Sequence, residues 1–161
     1  MKDAPNVMRV INITEEARWG GPQARIVNVA ASLQKCGVST TVLHPTFGAS
    51  RLENELDDHG VEGRSEEIYR LTKKLTTLLK YILFFCRDIY SIMKVVRENE
   101  ADLVHCNGCW QIKGVLAAWL CGTPAIWHLN DTHMPGLVRV VFRFLAQFAV
   151  DGFILASERT K

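Results

Sequence analysis

Several classes of protein are excluded by what this chain lacks. No apolar run approaches the ~20 residues that a membrane-crossing helix needs, and the run Tyr81–Cys86 is bracketed by Lys80 and Arg87. The opening residues, MKDAPN, are polar and lead into no signal segment. Cysteine is sparse and odd in number, five in all, without the spacing of a secreted disulfide scaffold. A reducing, cytoplasmic setting is therefore the expectation. There is no G-x-G-x-x-G after the first strand pattern, and the second ends in His44 rather than an acid, which argues against ordinary dinucleotide binding. The net charge of +2 gives the whole molecule no strong pull on nucleic acid. Repeats, linkers and low-complexity tracts are absent as well.

What is present fits one domain, 161 residues with 48% hydrophobic content, enough to bury a core. The stretch Ile11–Arg25 organises the rest. An apolar run, Met8–Ile13, ends in polar residues, and then come Gly20, Gly21 and Pro22 ahead of a helical pattern. Pro suits the first helical turn, and the free N–H groups of a helix start attract anions. Gly20–Gly21 is thus either an anion cradle or a plain strand-to-helix turn. The first helix is expected from about Pro22 to Cys36, with Ile26, Val29, Ala30 and Leu33 inward and Gly37 closing it.

Strands are then expected at Thr40–His44, around Val61, at Asp102–Cys106, Pro124–Leu129 and Phe153–Ala156. Helices are expected at Arg51–His59, Ile112–Leu120 and Pro135–Val150, the last largely buried. Between Ile68 and Glu98, apolar residues from Leu71 to Val96 recur at three and four, one helix or two. Alternating strands and helices predict an α/β fold, a single Rossmann-like doubly wound parallel sheet with helices on both faces and strand order 3-2-1-4-5-6. Ligands then sit at the reversal between strands one and four. Three polar stretches fall there: Thr14–Gly21, Asn107–Trp110 and His128–His133.

Three constellations could carry chemistry. Cys106-Asn107-Gly108-Cys109, beside His105, has the spacing of a zinc or redox pair, or is one buried and one loop cysteine. His128-Leu-Asn-Asp131-Thr-His133 places imidazoles and a carboxylate at a strand end, for hydrogen bonding or proton transfer, or for structure alone. Arg70–Arg97 holds seven basic residues and one acid, with Lys73, Lys80, Arg87 and Lys94 seven apart and Phe84 near their side. That face suits an anionic membrane surface, or it is simply solvated.

The ordered pieces MRVINIT…GGPQARIVNVAASLQKCGVSTTVLHP, ADLVHCNGCWQIKGVLAAWLCGTPAIWHLND and RFLAQFAVDGFILASERTK resemble the N-terminal, acceptor-side domain of retaining glycosyltransferases of family 4, with the GT-B fold. The resemblance implies a transferase moving a sugar from a nucleotide-sugar to a glycan or lipid-linked acceptor, as in polysaccharide biosynthesis. It needs no cofactor or metal. It implies His128 as the catalytic residue near the transferred sugar. Gly20, Gly21, Trp19, Asn107 and Asp131 are then the substrate-binding set.

On this reading residues 1–161 are one N-terminal domain, cut short at its end, whose donor-binding domain or subunit is a missing partner. The isolated chain is then inactive. The alternatives are a non-catalytic binding or membrane-docking module, with Lys73, Lys80, Phe84, Arg87 and Lys94 as contacts, or a thiol or zinc protein through Cys106 and Cys109. No nucleic-acid partner is expected. Location would be cytoplasmic, with peripheral contact at the inner face of a membrane.

Overall fold

Apolar, β-branched runs form a six-stranded sheet in a computed structural model that describes residues 7–72, 74–130 and 136–156, without the side chains of residues 137 and 138. The strands are β1 (Met8–Thr14), β2 (Val38–Pro45), β3 (Glu62–Glu66), β4 (Leu103–Asn107), β5 (Ala125–Leu129) and β6 (Gly152–Leu155). Their order is β3-β2-β1-β4-β5-β6, every pair parallel, as the alternating pattern predicts. The helices are α1 (Gly21–Gln34), α2 (Ser50–Asp58), α3 (Leu75–Leu83), α4 (Phe85–Glu98), α5 (Ile112–Cys121) and α6 (Gly136–Phe148).

Successive strand side chains point to opposite faces, so two cores form. Ile11, Ile13, Val104, Cys106 and Trp127 pack with residues of α4, α5 and α6. Val42 packs with Ile26, Val27 and Ala30 of α1 and with Leu52 and Leu56 of α2. Gly122, at φ +68, closes α5 in the left-handed conformation. Gly114 lets α5 approach the sheet. A Cβ there would stand 3.0 Å from Cys106 Sγ and from Gln111 Oε1, and 3.2 Å from Ile13 Cδ1. Gly114→Ala is accordingly expected to destabilise the chain by about 1–3 kcal/mol through overpacking. Urea unfolding measures this; an unchanged midpoint would show that α5 can slide outward freely.

Several expectations are corrected. α1 buries Gln23, Ile26, Val27 and Ala30, while Val29 and Leu33 lie exposed. The inward row is shifted because Gln23 turns in and donates from Nε2 to the Glu16 carbonyl at 2.6 Å. The long helical region starts at Leu75 and breaks at Phe84, so α3 and α4 are separate helices. Leu75 and Ile82 of the proposed stripe are exposed, and Ile89 and Val96 are buried. α6 is not largely buried: Leu145 reaches the core, but Val140 and Phe144 are 66% and 63% exposed. An apolar sequence on all sides buries only the side that has a neighbour. α5 is enclosed from Ile112 to Ala118, with Trp119 and Leu120 exposed at its end; α6 lies beside the outermost strands, Phe142 against Trp127 and Phe153.

Candidate functional site

The ends of β1, β4 and β5 carry polar side chains placed by register. Asn12 pairs with His105, and Asn107 with His128, across neighbouring strands. The Asn107 amide donates to Asn12 Oδ1 and, at 3.2 Å, to the Ile13 carbonyl. Asn12 Nδ2 lies 3.3 Å from His105 Nδ1, and His105 Nε2 lies 3.4 Å from His128 Nδ1. The two imidazoles stack with centroids 5.5 Å apart.

Over this row α1 lays Arg25. Its Nη2 donates to Asn107 Oδ1 at 3.0 Å, and Nη1 lies 2.7 Å from both ring nitrogens of His128. No carboxylate pairs with Arg25 among the described residues. Burial, then the Arg25 charge, push His128 down to about 4. Burial, then His128 and Arg25, do the same to His105, also to about 4. Both rings are therefore neutral at pH 7. His128 can accept one hydrogen bond and donate another, but it holds no proton to give as an acid.

Asn107 and His128 thus meet at the reversal between β1 and β4, joined through Arg25 and a bond from the Gly108 N–H to the His128 carbonyl at 2.8 Å. Gly20 and Gly21 open α1 beside it, Gly20 as the extended N-cap at φ −171. Neither has a positive φ, so the turn itself does not require glycine. A Cβ on Gly21 would meet nothing within 4 Å, leaving open space at the helix start. Trp19 packs against the α1–α2 core with Arg51 5.3 Å from its ring, apart from the imidazoles. Asp131 and His133 lie outside the described residues.

Composition did not single out Arg25, Asn12 or Glu15. The available signals were an Asn interrupting the β1 apolar run and an Arg one turn into a helix with a glycine start.

A cavity of about 680 Å³ opens between the β1–α1 loop, the β2–α2 loop and the segment leading into α3. Glu15 lines it. Its carboxyl is buried and neither oxygen has a partner at ordinary hydrogen-bond geometry, though the Leu71 backbone favours its charged form. Desolvation, opposed by Lys113 and Arg70, pushes this acid from 4.5 up to about 8. The folded chain thus keeps a proton that the unfolded chain has lost between these values. Stability should fall as pH rises from 4.5 to about 8, with the cost complete above that. Glu15→Gln should match wild type below pH 4.5 and exceed its stability at about pH 9, by on the order of a few kcal/mol. Denaturation at the two pH values measures the difference; equal stability at both would show a solvated carboxyl. His105 and His128 act on the opposite limb: the stability tied to their neutral rings is full above 6.5 and lost as pH falls toward 4.

Of the basic set, Lys80 and Arg87 face Tyr69 at 5.3 and 5.4 Å, and Arg87 also covers Phe84 at 4.2 Å. Arg87 is engaged by Glu67 and Asp88, and Lys94 by Glu98. The break at Phe84 separates Lys80 from Arg87 and Lys94; Lys73 lies outside the described residues. Cys106 and Cys109 are both buried. Burial, then Glu15, raise the Cys106 thiol far above its ordinary range, the reverse of what a reactive thiolate needs. Among the described residues no group of three His, Cys, Asp or Glu side chains converges on a metal position.

A doubly wound parallel sheet with polar side chains at its strand reversal defines a Rossmann-like α/β domain. The chain belongs to Glycosyltransferase Family 4, whose model matches residues 19–161. Among solved structures it is similar to MurG of Acinetobacter baumannii, at 19% identity and TM-score 0.69, over 96% of this chain and 42% of that one. It is similar to the UDP-GlcNAc 2-epimerase of Neisseria meningitidis bound to UDP-GlcNAc, at 16% identity and TM-score 0.66, over 95% and 41%. It is also similar to SsfS6, a glycosyltransferase of Streptomyces sp. SF2575, at 15% identity and TM-score 0.54, over 89% and 47%. At these identities the likeness shows the fold. The chain spans less than half the length of each. No curated protein sequence matches it significantly.

Proposed function

We propose that this chain is the acceptor-side half of a glycosyltransferase that moves a sugar from a nucleotide-sugar to a glycan or lipid-linked acceptor with retained configuration. A donor-binding domain or subunit supplies the rest, and the chain alone is inactive. The observation that carries this reading is Arg25, a cation without a carboxylate partner among the described residues, held by Asn107 and a neutral His128 where α1 begins. Family membership supports it.

Arg25 and the first N–H groups of α1, at Gly20 and Gly21, face an anion, the phosphates that leave with the nucleotide. Charge grows on those phosphates as the sugar bond breaks, so a fixed cation there binds the transition state more tightly than the ground state. His128, as a neutral ring, donates or accepts one hydrogen bond at a sugar hydroxyl and fixes the sugar's position. Asn107 holds Arg25 in place. Asp131, in the same polar stretch of the sequence, takes an acceptor hydroxyl. The exposed apolar residues of β6, Phe153, Ile154 and Leu155, fit a sheet edge that further chain covers.

Labelled nucleotide-sugars incubated with the purified chain should show no turnover; turnover would overturn the half-enzyme reading. Addition of the donor-binding domain, encoded with it or separately, should restore transfer. Failure of every such pairing to transfer would leave the non-catalytic module as the better account.

A further inference from the structure

Hydrogen bonds have direction, and the polar row across β1, β4 and β5 is joined by a group that can only donate, the Arg25 guanidinium. We infer that Asn12 and His105 are positioning residues that fix His128 as its Nε2–H tautomer, so that the site presents an N–H donor to a ligand oxygen. On the acceptor-side reading above, on which the choice of ligand rests, that oxygen is a sugar hydroxyl. A hydroxyl oxygen accepts from such a donor, and an ammonium in its place, having no lone pair, does not.

The direction is set from Arg25 onward. A guanidinium carries no acceptor, so the Asn107 atom 3.0 Å from Arg25 Nη2 is its oxygen. The nitrogen of that amide faces the Ile13 carbonyl at 3.2 Å, which requires a donor. The same Asn107 Nδ2 donates to Asn12, whose Oδ1 accepts. Asn12 is left with its Nδ2 toward His105, 3.3 Å from Nδ1. Facing a donor, His105 Nδ1 must be bare, and in a neutral ring the proton then sits on Nε2. His105 Nε2 lies 3.4 Å from His128 Nδ1. That nitrogen is bare in turn, and His128 carries its proton on Nε2.

Arg25 alone does not make this choice, because its Nη1 stands 2.7 Å from both His128 nitrogens. Were it to bind Nε2, His128 would offer Nδ1–H to His105. His105 would then hold its proton on Nδ1, opposing the Asn12 N–H. Two opposed donors are both left unsatisfied, which buried groups meet at a cost in free energy. Asn12 and Asn107 are both buried, so solvent does not relieve the opposition. With the proton on Nε2, every bond in the row has one donor and one acceptor. No acceptor faces His128 Nε2 among the described residues, so that N–H is the one the row leaves for a ligand.

Two-bond proton–nitrogen correlation of the imidazoles in the intact, isotope-labelled chain reads each tautomer. It involves no transfer step, so it can fail while the transferase reading stands. Conversely, a completed enzyme that transfers nothing removes the sugar as ligand and leaves the tautomers as measured. Signals lost in His105→Phe and in His128→Gln assign the two rings. At pH 7 both rings should show a protonated Nε2 and a bare Nδ1.

Asn12→Asp replaces the donor with a carboxylate that only accepts. Read on the alkaline side of the His105 titration, where that ring is neutral, His105 should move its proton to Nδ1 and His128 should follow. Each ring would then exchange the shifts of its two nitrogens. Asn12→Asp combined with His105→Phe should leave His128 as in His105→Phe alone, because a phenyl ring has no nitrogen to pass the change on. A His128 proton on Nδ1 in the unaltered chain overturns the assignment, and that measurement needs no variant to fold. If neither ring switches in Asn12→Asp, Asn12 does not set the direction. If His105 switches and His128 does not, the link between the rings is overturned. A switch of His128 that persists in the double variant shows the new charge acting on it directly and overturns the role of His105.

Discussion

Lys113→Met is expected to destabilise the folded chain by about 3–5 kcal/mol, the usual cost of stripping one partner from a buried ion pair. Lys113 and Asp88 side chains are fully buried, with Nζ 2.7 Å from Asp88 Oδ2 and 2.5 Å from the Tyr69 carbonyl. The ammonium also lies 3.8 Å from the Tyr81 ring centroid. Burial lowers the Lys113 pKa, although the Asp88 bond and charge pull the other way. Without Lys113, Asp88 keeps, among the described residues, the half-exposed Arg87 as a cation, and the Tyr69 N–H at 3.0 Å.

The pair does more than hold charge. Asp88 ties α4, and Lys113 ties α5, to the Tyr69 backbone, which carries the segment leading into α3. Chemical denaturation measures the cost of the single change. Asp88→Leu combined with Lys113→Met should recover much of it, because no uncompensated charge then remains. A single-variant cost below about 1 kcal/mol would place the pair with weak surface bridges and contradict its burial.

On the proposed acceptor-side reading, Arg25→Ala should reduce sugar transfer by the chain joined with its donor-binding domain about 100- to 1000-fold, the range for losing one fixed group that meets developing charge. Arg25→Lys should recover part of this, since it keeps the charge and loses the fork that spans Asn107 and His128. The effect should fall on the rate of the chemical step more than on acceptor affinity. Equal transfer by Arg25→Ala would remove Arg25 from the site.

A second readout needs only this chain. Arg25 is one cause of the low His128 pKa, burial being the larger. In Arg25→Ala the imidazole resonance should titrate above about 4 yet still below the ordinary 6.5. A titration that does not move would show that the guanidinium is not held against the ring in solution.

Much of the fold was legible in sequence because its signals are local. Alternating apolar runs, Pro22 after two glycines, and Gly122 after an apolar helix each act within a few residues. With right-handed crossovers they leave one natural strand order, the one observed. Of the residues expected at the sheet's reversal, Asn107 and His128 do meet there. Arg25 was not, since its partners lie 82 and 103 residues away. Nor was Glu15, whose meaning depends on burial. The sequence shows an acid in a polar loop; the fold makes it a desolvated one.

Periodicity also left degeneracies that only packing could lift. Two adjacent stripes of α1 satisfy a 3.6-residue period equally, and the Gln23–Glu16 bond selects between them. α5 and α6 are both apolar on most sides, and position against the sheet decides that most of α5 is enclosed while α6 leaves Val140 and Phe144 exposed. The sevenfold basic spacing from Lys73 to Lys94 presumes an unbroken helix, which ends at Phe84.

The sequence by itself determined the α/β class and the strand order, because these follow from local propensity and chain handedness. Tertiary structure decided which charges are paired, which acid keeps its proton, which imidazoles are neutral and which helix faces stay bare. Those properties arise from desolvation and from contacts between residues far apart in the chain, and neither is present until the chain is folded.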